Sequence, residues 1–160
     1  MASFTPKNYQ KSVLDSIEHY FRTCQKMGNA DYAFQESTKE LWGRKSSFTP
    51  LVGFSEAMPY FCIRVPTGGG KTYLAAKSVG MVNNHLLHSS YSVILWLVPS
   101  KAIREQTIAG LSKIDHPYHA ALREAGAVTV MDLDGAKALN RSTLETSTVV
   151  IVATRQAFQV

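Results

Sequence analysis

The segment that most restricts the fold is Val65-Pro66-Thr67-Gly68-Gly69-Gly70-Lys71-Thr72. Before it runs Tyr60-Phe61-Cys62-Ile63-Arg64-Val65, a short, apolar, β-prone stretch. After it, Lys71 to about Leu87 places Leu74, Ala75, Val79, Val82 and Leu86 on one helical side. A strand, a glycine-rich turn, Lys-Thr and a helix in that order form the setting of a phosphate-binding loop. Three glycines let the backbone curl so that the amides from about Gly68 to Thr72 converge as a nest for a polyanion. The helix that follows adds its positive N-terminal end. Lys71 can reach the outer phosphates as a point charge, and the Thr72 hydroxyl is a hard oxygen suited to Mg2+. The strict pattern G-x-x-x-x-G-K-[ST] is not met, because Val65 stands where its first glycine belongs. A plain flexible turn with a chance Lys-Thr is the competing reading, and the agreement of all four features weighs against it.

The remaining chain repeats strand and helix. Thr5-Pro6 reads as a helix start, followed by a stripe of Tyr9, Val13, Ile17 and Phe21 ending before Gly28-Asn29. Tyr32, Phe34, Leu41 and Trp42 suggest one face of a second helix, and residues 43–59 read as loop. Val93–Val98 is apolar throughout, as strands covered on both faces are. Pro99-Ser100 opens a helix to about Ile114, with Ile103, Ile108 and Leu111 facing inward. Ala127–Met131 and Thr148–Ala153 read as further strands, with a short helix over Gly135–Leu139. This alternation implies an α/β domain on a mainly parallel sheet. The 160 residues, 45% of them apolar, are enough for an ordinary core and exclude a disordered chain.

No apolar run approaches the roughly 20 residues of a spanning helix, and the first residues lack the apolar core of a signal peptide. Two cysteines, Cys24 and Cys62, make no disulfide framework and read as reduced thiols of a cytosolic protein. A net charge of +5 permits a polyanionic partner without requiring one.

The run Pro66-Thr67-Gly68-x-Gly70-Lys71-Thr72 resembles motif I of superfamily 2 helicases and translocases, which commonly lack that first glycine. Tyr9-Gln10 resembles their upstream glutamine motif, which implies that the Gln10 amide reads adenine. Leu97-Val98-Pro99-Ser100-Lys101-Ala102-Ile103-Arg104-Glu105-Gln106 resembles motif Ia, where a strand end and a helix N-terminus meet a nucleic-acid backbone. Val150–Phe158 resembles the next motif strand, which implies that Thr154 and Gln156 face the nucleic acid. Together these look most like the motor subunits of type III restriction enzymes. The resemblance spans Phe4 to Val160, excepting roughly residues 25–58, which read as an insertion.

The resemblance implies a P-loop (RecA-like) three-layer domain with ATP and Mg2+ as cofactors. Thr67, Gly68, Gly69, Gly70, Lys71 and Thr72 would hold the phosphates, with Gln10 on adenine. Lys71 and Thr72 would serve catalysis, and Thr72 the metal. Ser100, Lys101, Arg104, Thr154 and Gln156 would line the nucleic-acid track, with DNA rather than RNA as partner. The rest of the motor, and a methyltransferase or nuclease subunit, are further implied partners, in the cytoplasm and away from membranes. Residues 1–59 are expected to hold the first helix and the insertion, and residues 60–160 a partial RecA-like ATP-binding domain.

Such a motor needs an Asp-Glu pair at a strand end to hold Mg2+ and orient water. Asp132 ends an apolar strand, but Leu133 follows it and Asp134 comes one place late. It also precedes the Thr154–Gln156 segment, whereas the family's acidic motif follows it, so Asp132 reads as a strand cap or loop residue. The chain is therefore expected to stop before its Walker B strand, to bind nucleotide and to hydrolyse it poorly alone. The edge of the Thr148–Ala153 strand is expected to lie uncovered. Competing readings are a non-hydrolysing nucleotide-binding or assembly module and a small P-loop kinase. His85 with His88, and His116 with His119, lack further ligands nearby and read as ordinary solvated histidines. Asn140-Arg141-Ser142 matches a glycosylation sequon by chance, given the missing secretion signal.

Overall fold

The computed structural model describes residues 4–55 and 58–158. Met1–Ser3 and the closing Gln159-Val160, which entered the reading of the chain's two ends, lie outside the described residues. Helix α1 spans Asn8–Met27 and α2 spans Ala30–Trp42. Helix α1 starts later than Thr5-Pro6 suggested, where the Gln10 side chain accepts a hydrogen bond from the Lys7 amide at 2.8 Å. It ends at Gly28, whose φ of 63° is the left-handed value that glycine takes without strain. In α2 the small residues Ala30, Ala33, Ser37 and Thr38 face inward; of the expected stripe Phe34 packs against the core, whereas Tyr32, Leu41 and Trp42 are exposed. Short side chains let the two helices approach closely.

Helix α3, Lys71–Val82, is followed by a π-helical turn over Asn83–Leu87. The expected helix therefore changes its hydrogen bonding at Asn83, whose buried amide donates to Thr148 Oγ1 at 3.0 Å. Then come β1 (Val93–Val98), α4 (Lys101–Ser112), α5 (Pro117–Leu122), β2 (Val128–Asp132), the short helices α6 (Leu133–Ala136) and α7 (Arg141–Thr146), and β3 (Thr148–Thr154). The three strands form one parallel sheet in the order β1-β3-β2. The expected α/β class with a parallel sheet holds.

Three expectations are corrected. Tyr60–Val65 is extended but joins no strand of the sheet among the described residues, since a β-prone run needs a neighbouring backbone to pair with. A cavity of about 460 Å³ separates it from β1, lined by Phe61, Ile63 and Val65 on one side and Ile94 to Leu97 on the other. Second, β3 does not carry the uncovered edge. It sits between β1 and β2, and its residues Val149, Val150 and Val152 are completely buried. The edges are β1 and β2, because the strands are not laid down in chain order. Third, β1 is not covered on both faces. Val93, Leu95 and Leu97 are 57%, 51% and 51% exposed, and only β3 has the doubly buried character.

Two apolar clusters hold these elements. One gathers Tyr73, Val79, Leu111, Leu122, Val150 and Val152 between α3, α4, α5 and the sheet. The other gathers Leu14, Ile17, Tyr20, Phe21 and Leu74 with Val65, tying α1 to the glycine-rich turn and α3. Burial raises the Tyr20 hydroxyl and the Cys24 thiol above their usual ranges. Both cysteines are free, Cys24 buried and Cys62 exposed.

Candidate functional site

The glycine-rich turn is shaped by two left-handed residues, Gly68 with φ 75° and Gly70 with φ 83°. Gly69 between them is buried. Its amide donates to the Pro66 carbonyl at 3.0 Å, closing the turn. A Cβ on Gly69 would collide with Val65 Cγ1 and come within 2.9 Å of the Pro66 oxygen, so only glycine fits. Gly70 is the N-cap of α3, and the Leu74 amide donates to its carbonyl at 2.9 Å. Helices α2, α4 and α7 have side-chain caps from Asn29, Ser100 and Asn140. Helix α3 has no side-chain cap and no acidic residue in its first turn. Its leading amides are thus left for another acceptor, and the dipole favours a negative one. Lys71 is exposed at this end, with Nζ donating to the Pro66 carbonyl at 3.1 Å. Thr67 is exposed and Thr72 half-buried beside it.

Gln10 is brought to this turn from the first turn of α1. It is 4% exposed, and its Nε2 donates to the Gly69 carbonyl at 3.1 Å. The Tyr9 hydroxyl donates to the same carbonyl at 2.9 Å. Sequence reasoning gave Tyr9 to a helical stripe and missed this contact. Its position beside Gln10 was the available signal.

The other group of candidate residues collects at the carboxyl ends of β1 and β3. The strand register sets Val98 opposite Thr154, and Gln156 Nε2 donates to the Pro99 carbonyl at 3.4 Å. A cavity of about 340 Å³ opens there between Leu97, Val98, Pro99, Arg155 and Gln156. Arg155, absent from the sequence-based set, is exposed and adds a positive charge. Ser100 caps α4, accepting from the Ile103 amide, and Lys101 is exposed on the first turn. Arg104 is half-buried, and its Nε has no hydrogen-bond partner among the described residues. The Asp134 carboxyl is held below its usual range first by the Lys137 hydrogen bond, and Arg104 adds to that. Leu97 lines both cavities and Lys71 the larger one, so the turn and the strand ends are adjacent.

The family model of the type III restriction enzyme res subunit matches residues 3–160. The chain belongs to that family. No curated protein and no solved structure matches it. Family membership makes the chain a P-loop NTPase domain of the ATP-dependent, helicase-like motor type. The geometry also decides several side issues. Asp132 caps α6, accepting from the Gly135 amide at 2.9 Å, at the sheet edge opposite β1. His116 caps α5 through Nδ1, His119 Nδ1 meets the Leu111 carbonyl at 2.7 Å, and His85 faces Glu18 at 3.3 Å. Among the described residues no group of His, Cys, Asp and Glu could hold a metal ion, and no helix is long and apolar enough to cross a membrane.

Proposed function

We propose that the chain binds ATP-Mg on the turn from Thr67 to Thr72 and contacts DNA at the ends of β1 and β3, as part of a helicase or translocase. The observation that carries this reading is the uncapped N-terminus of α3 behind a turn that only glycine can form. In this reading the amides of Gly68 to Thr72 and the Lys71 ammonium hold the phosphates, and the Thr72 hydroxyl ligates the metal. Bound Mg2+ would neutralise phosphate charge and polarise the bridging oxygens. Lys71 must leave the Pro66 carbonyl to reach them, a local side-chain rotation. Gln10 reads the adenine edge. Residues 60–160 carry the loop and the track, and residues 1–59 supply Gln10 and the insertion. No two acidic residues are adjacent anywhere in the sequence, so hydrolysis by these residues alone is proposed to be slow. We place the whole motor in a cytoplasmic restriction or DNA-processing enzyme, with a methyltransferase or nuclease subunit as its partner.

A ligand that binds only the folded state must stabilise it. ATP-Mg at about a hundred times its Kd is expected to raise Tm by roughly 5–10 °C for a chain of this size. An unchanged Tm at millimolar ATP-Mg would remove the nucleotide reading. For DNA, Lys101 is exposed on the track and Arg104 is half-buried. Lys101→Ala is therefore expected to lower the slope of log affinity against log salt by about 1. Arg104→Ala is expected to change it less, measured by fluorescence anisotropy with a labelled duplex. Equal slopes for wild type and Lys101→Ala would place the track elsewhere.

A further inference from the structure

The Gly69 carbonyl accepts two side-chain hydrogen bonds at once, from the Tyr9 hydroxyl at 2.9 Å and from Gln10 Nε2 at 3.1 Å. A carbonyl oxygen has two lone pairs, so these donors fill it. Both come from adjacent residues at the start of α1, some 60 positions away in sequence. Gln10 is further committed through its oxygen, which accepts from the Lys7 amide. Both ends of the Gln10 amide thus hold the protein, and the side chain is buried. From this buried position it presents no donor–acceptor pair to a base, and it must turn out to do so.

The two donors are not equivalent. The Tyr9 ring is 41% exposed, and a phenol offers one donor with no paired acceptor geometry for reading a base edge. Gln10 has the donor–acceptor pair that reads one. When Gln10 turns away, Gly69 keeps one hydrogen bond as long as Tyr9 stays, so its buried carbonyl is not stranded. Without Tyr9, release of Gln10 would leave that carbonyl unpaired in the middle of the turn. Gly70 permits the arrangement, since a Cβ there would collide with Gln10 Nε2.

We propose that Tyr9 and Gln10 form a shared latch on Gly69, in which Gln10 passes from the loop to an adenine base while Tyr9 holds the loop in its phosphate-binding shape. Tyr9 is then a positioning residue for the phosphates, and Gln10 a selector for the base. This rests on the nucleotide reading above and adds a division of labour to it.

The two roles separate by ligand. Tyr9→Phe removes only the hydroxyl. It is expected to weaken ATP by roughly five- to tenfold, the worth of the hydrogen bond that Gly69 lacks once Gln10 turns to the base. Inorganic tripolyphosphate, which leaves Gln10 on Gly69, is expected to weaken less than about twofold. Gln10→Ala is expected to bring the ratio of ATP to GTP affinity toward one while changing tripolyphosphate binding less than twofold. The unliganded Tm of Tyr9→Phe should fall by no more than about 4 °C, and amide exchange at residues 66–72 should quicken while exchange in β3 does not. An equal loss for ATP and tripolyphosphate in Tyr9→Phe, or unchanged ATP binding, would overturn the latch and leave the nucleotide site standing. Failure of the wild type to bind tripolyphosphate or ATP would overturn the nucleotide site itself, and the latch with it.

Discussion

Lys71→Ala is expected to weaken ATP binding by roughly ten- to a hundredfold, the loss of a charge-assisted contact to phosphate. The fold should survive it. Lys71 is exposed, and its ammonium donates to the carbonyl of Pro66, an exposed residue as well. The unliganded Tm should therefore stay within about 2 °C of wild type, since an exposed side chain with one such bond contributes little. Isothermal titration with ATP-Mg measures the first quantity and a thermal scan the second. Lys71→Arg is the sharper companion. Arginine keeps the charge but spreads it over a planar fork, so it should recover only part of the affinity. Wild-type affinity in Lys71→Ala would mean that the phosphates do not lie on this turn.

Leu122→Ala is expected to destabilise the chain by about 2–5 kcal/mol, the range for a large side chain removed from a packed core. That corresponds to a fall in Tm of roughly 5–20 °C at this chain length. Leu122 is completely buried at the end of α5, among Tyr73, Val79, Val150 and Val152. Little can collapse into the space it leaves. Helix α5 lies directly against α3, and the Glu124–Ala125 backbone just beyond α5 lies beside Gly80. Lys77 on α3 also pairs with Glu124 just beyond α5. The helix that presents the phosphate loop is therefore seated by the residues around Leu122. Urea unfolding should show a lower midpoint with an unchanged slope. A loss under about 1 kcal/mol would mean that α5 is not part of the cooperative core.

Where the chain's chemistry is local, the sequence was legible. Three glycines before Lys-Thr could serve only a few backbone shapes, and Gly68 and Gly70 do adopt the left-handed conformation that such a turn needs. Ser100 after a strand was readable as a helix start, and it caps α4. The alternation of strands and helices gave the α/β class. What depends on remote neighbours was not legible. Tyr60–Val65 has strand-like residues but no partner backbone among the described residues, and pairing is not a property of one segment. Strand order is equally non-local, so β3 was taken for an edge when it is the centre. Periodicity puts Tyr9 on a helical stripe, while its hydroxyl reaches sideways to Gly69. The nucleic-acid track is readable as a set of positions, yet Arg104 is half-buried, and the exposed Arg155 within the Val150–Phe158 motif lines the cavity without being among the expected contacts.

The open side of β1 has a consequence for the chain in solution. Val-Ile-Leu-Trp-Leu-Val carries no charge and no proline, and one row of its backbone groups has no strand partner among the described residues. Folded sheets usually blunt such a border with lysine, proline or a bulge, because an undefended one recruits any extended chain it meets. This hexapeptide also has the composition of segments that zip together into fibrils. The scaffold that holds the two candidate binding regions side by side is thus the chain's main aggregation hazard. Concentration, more than temperature, should set how long it stays monomeric.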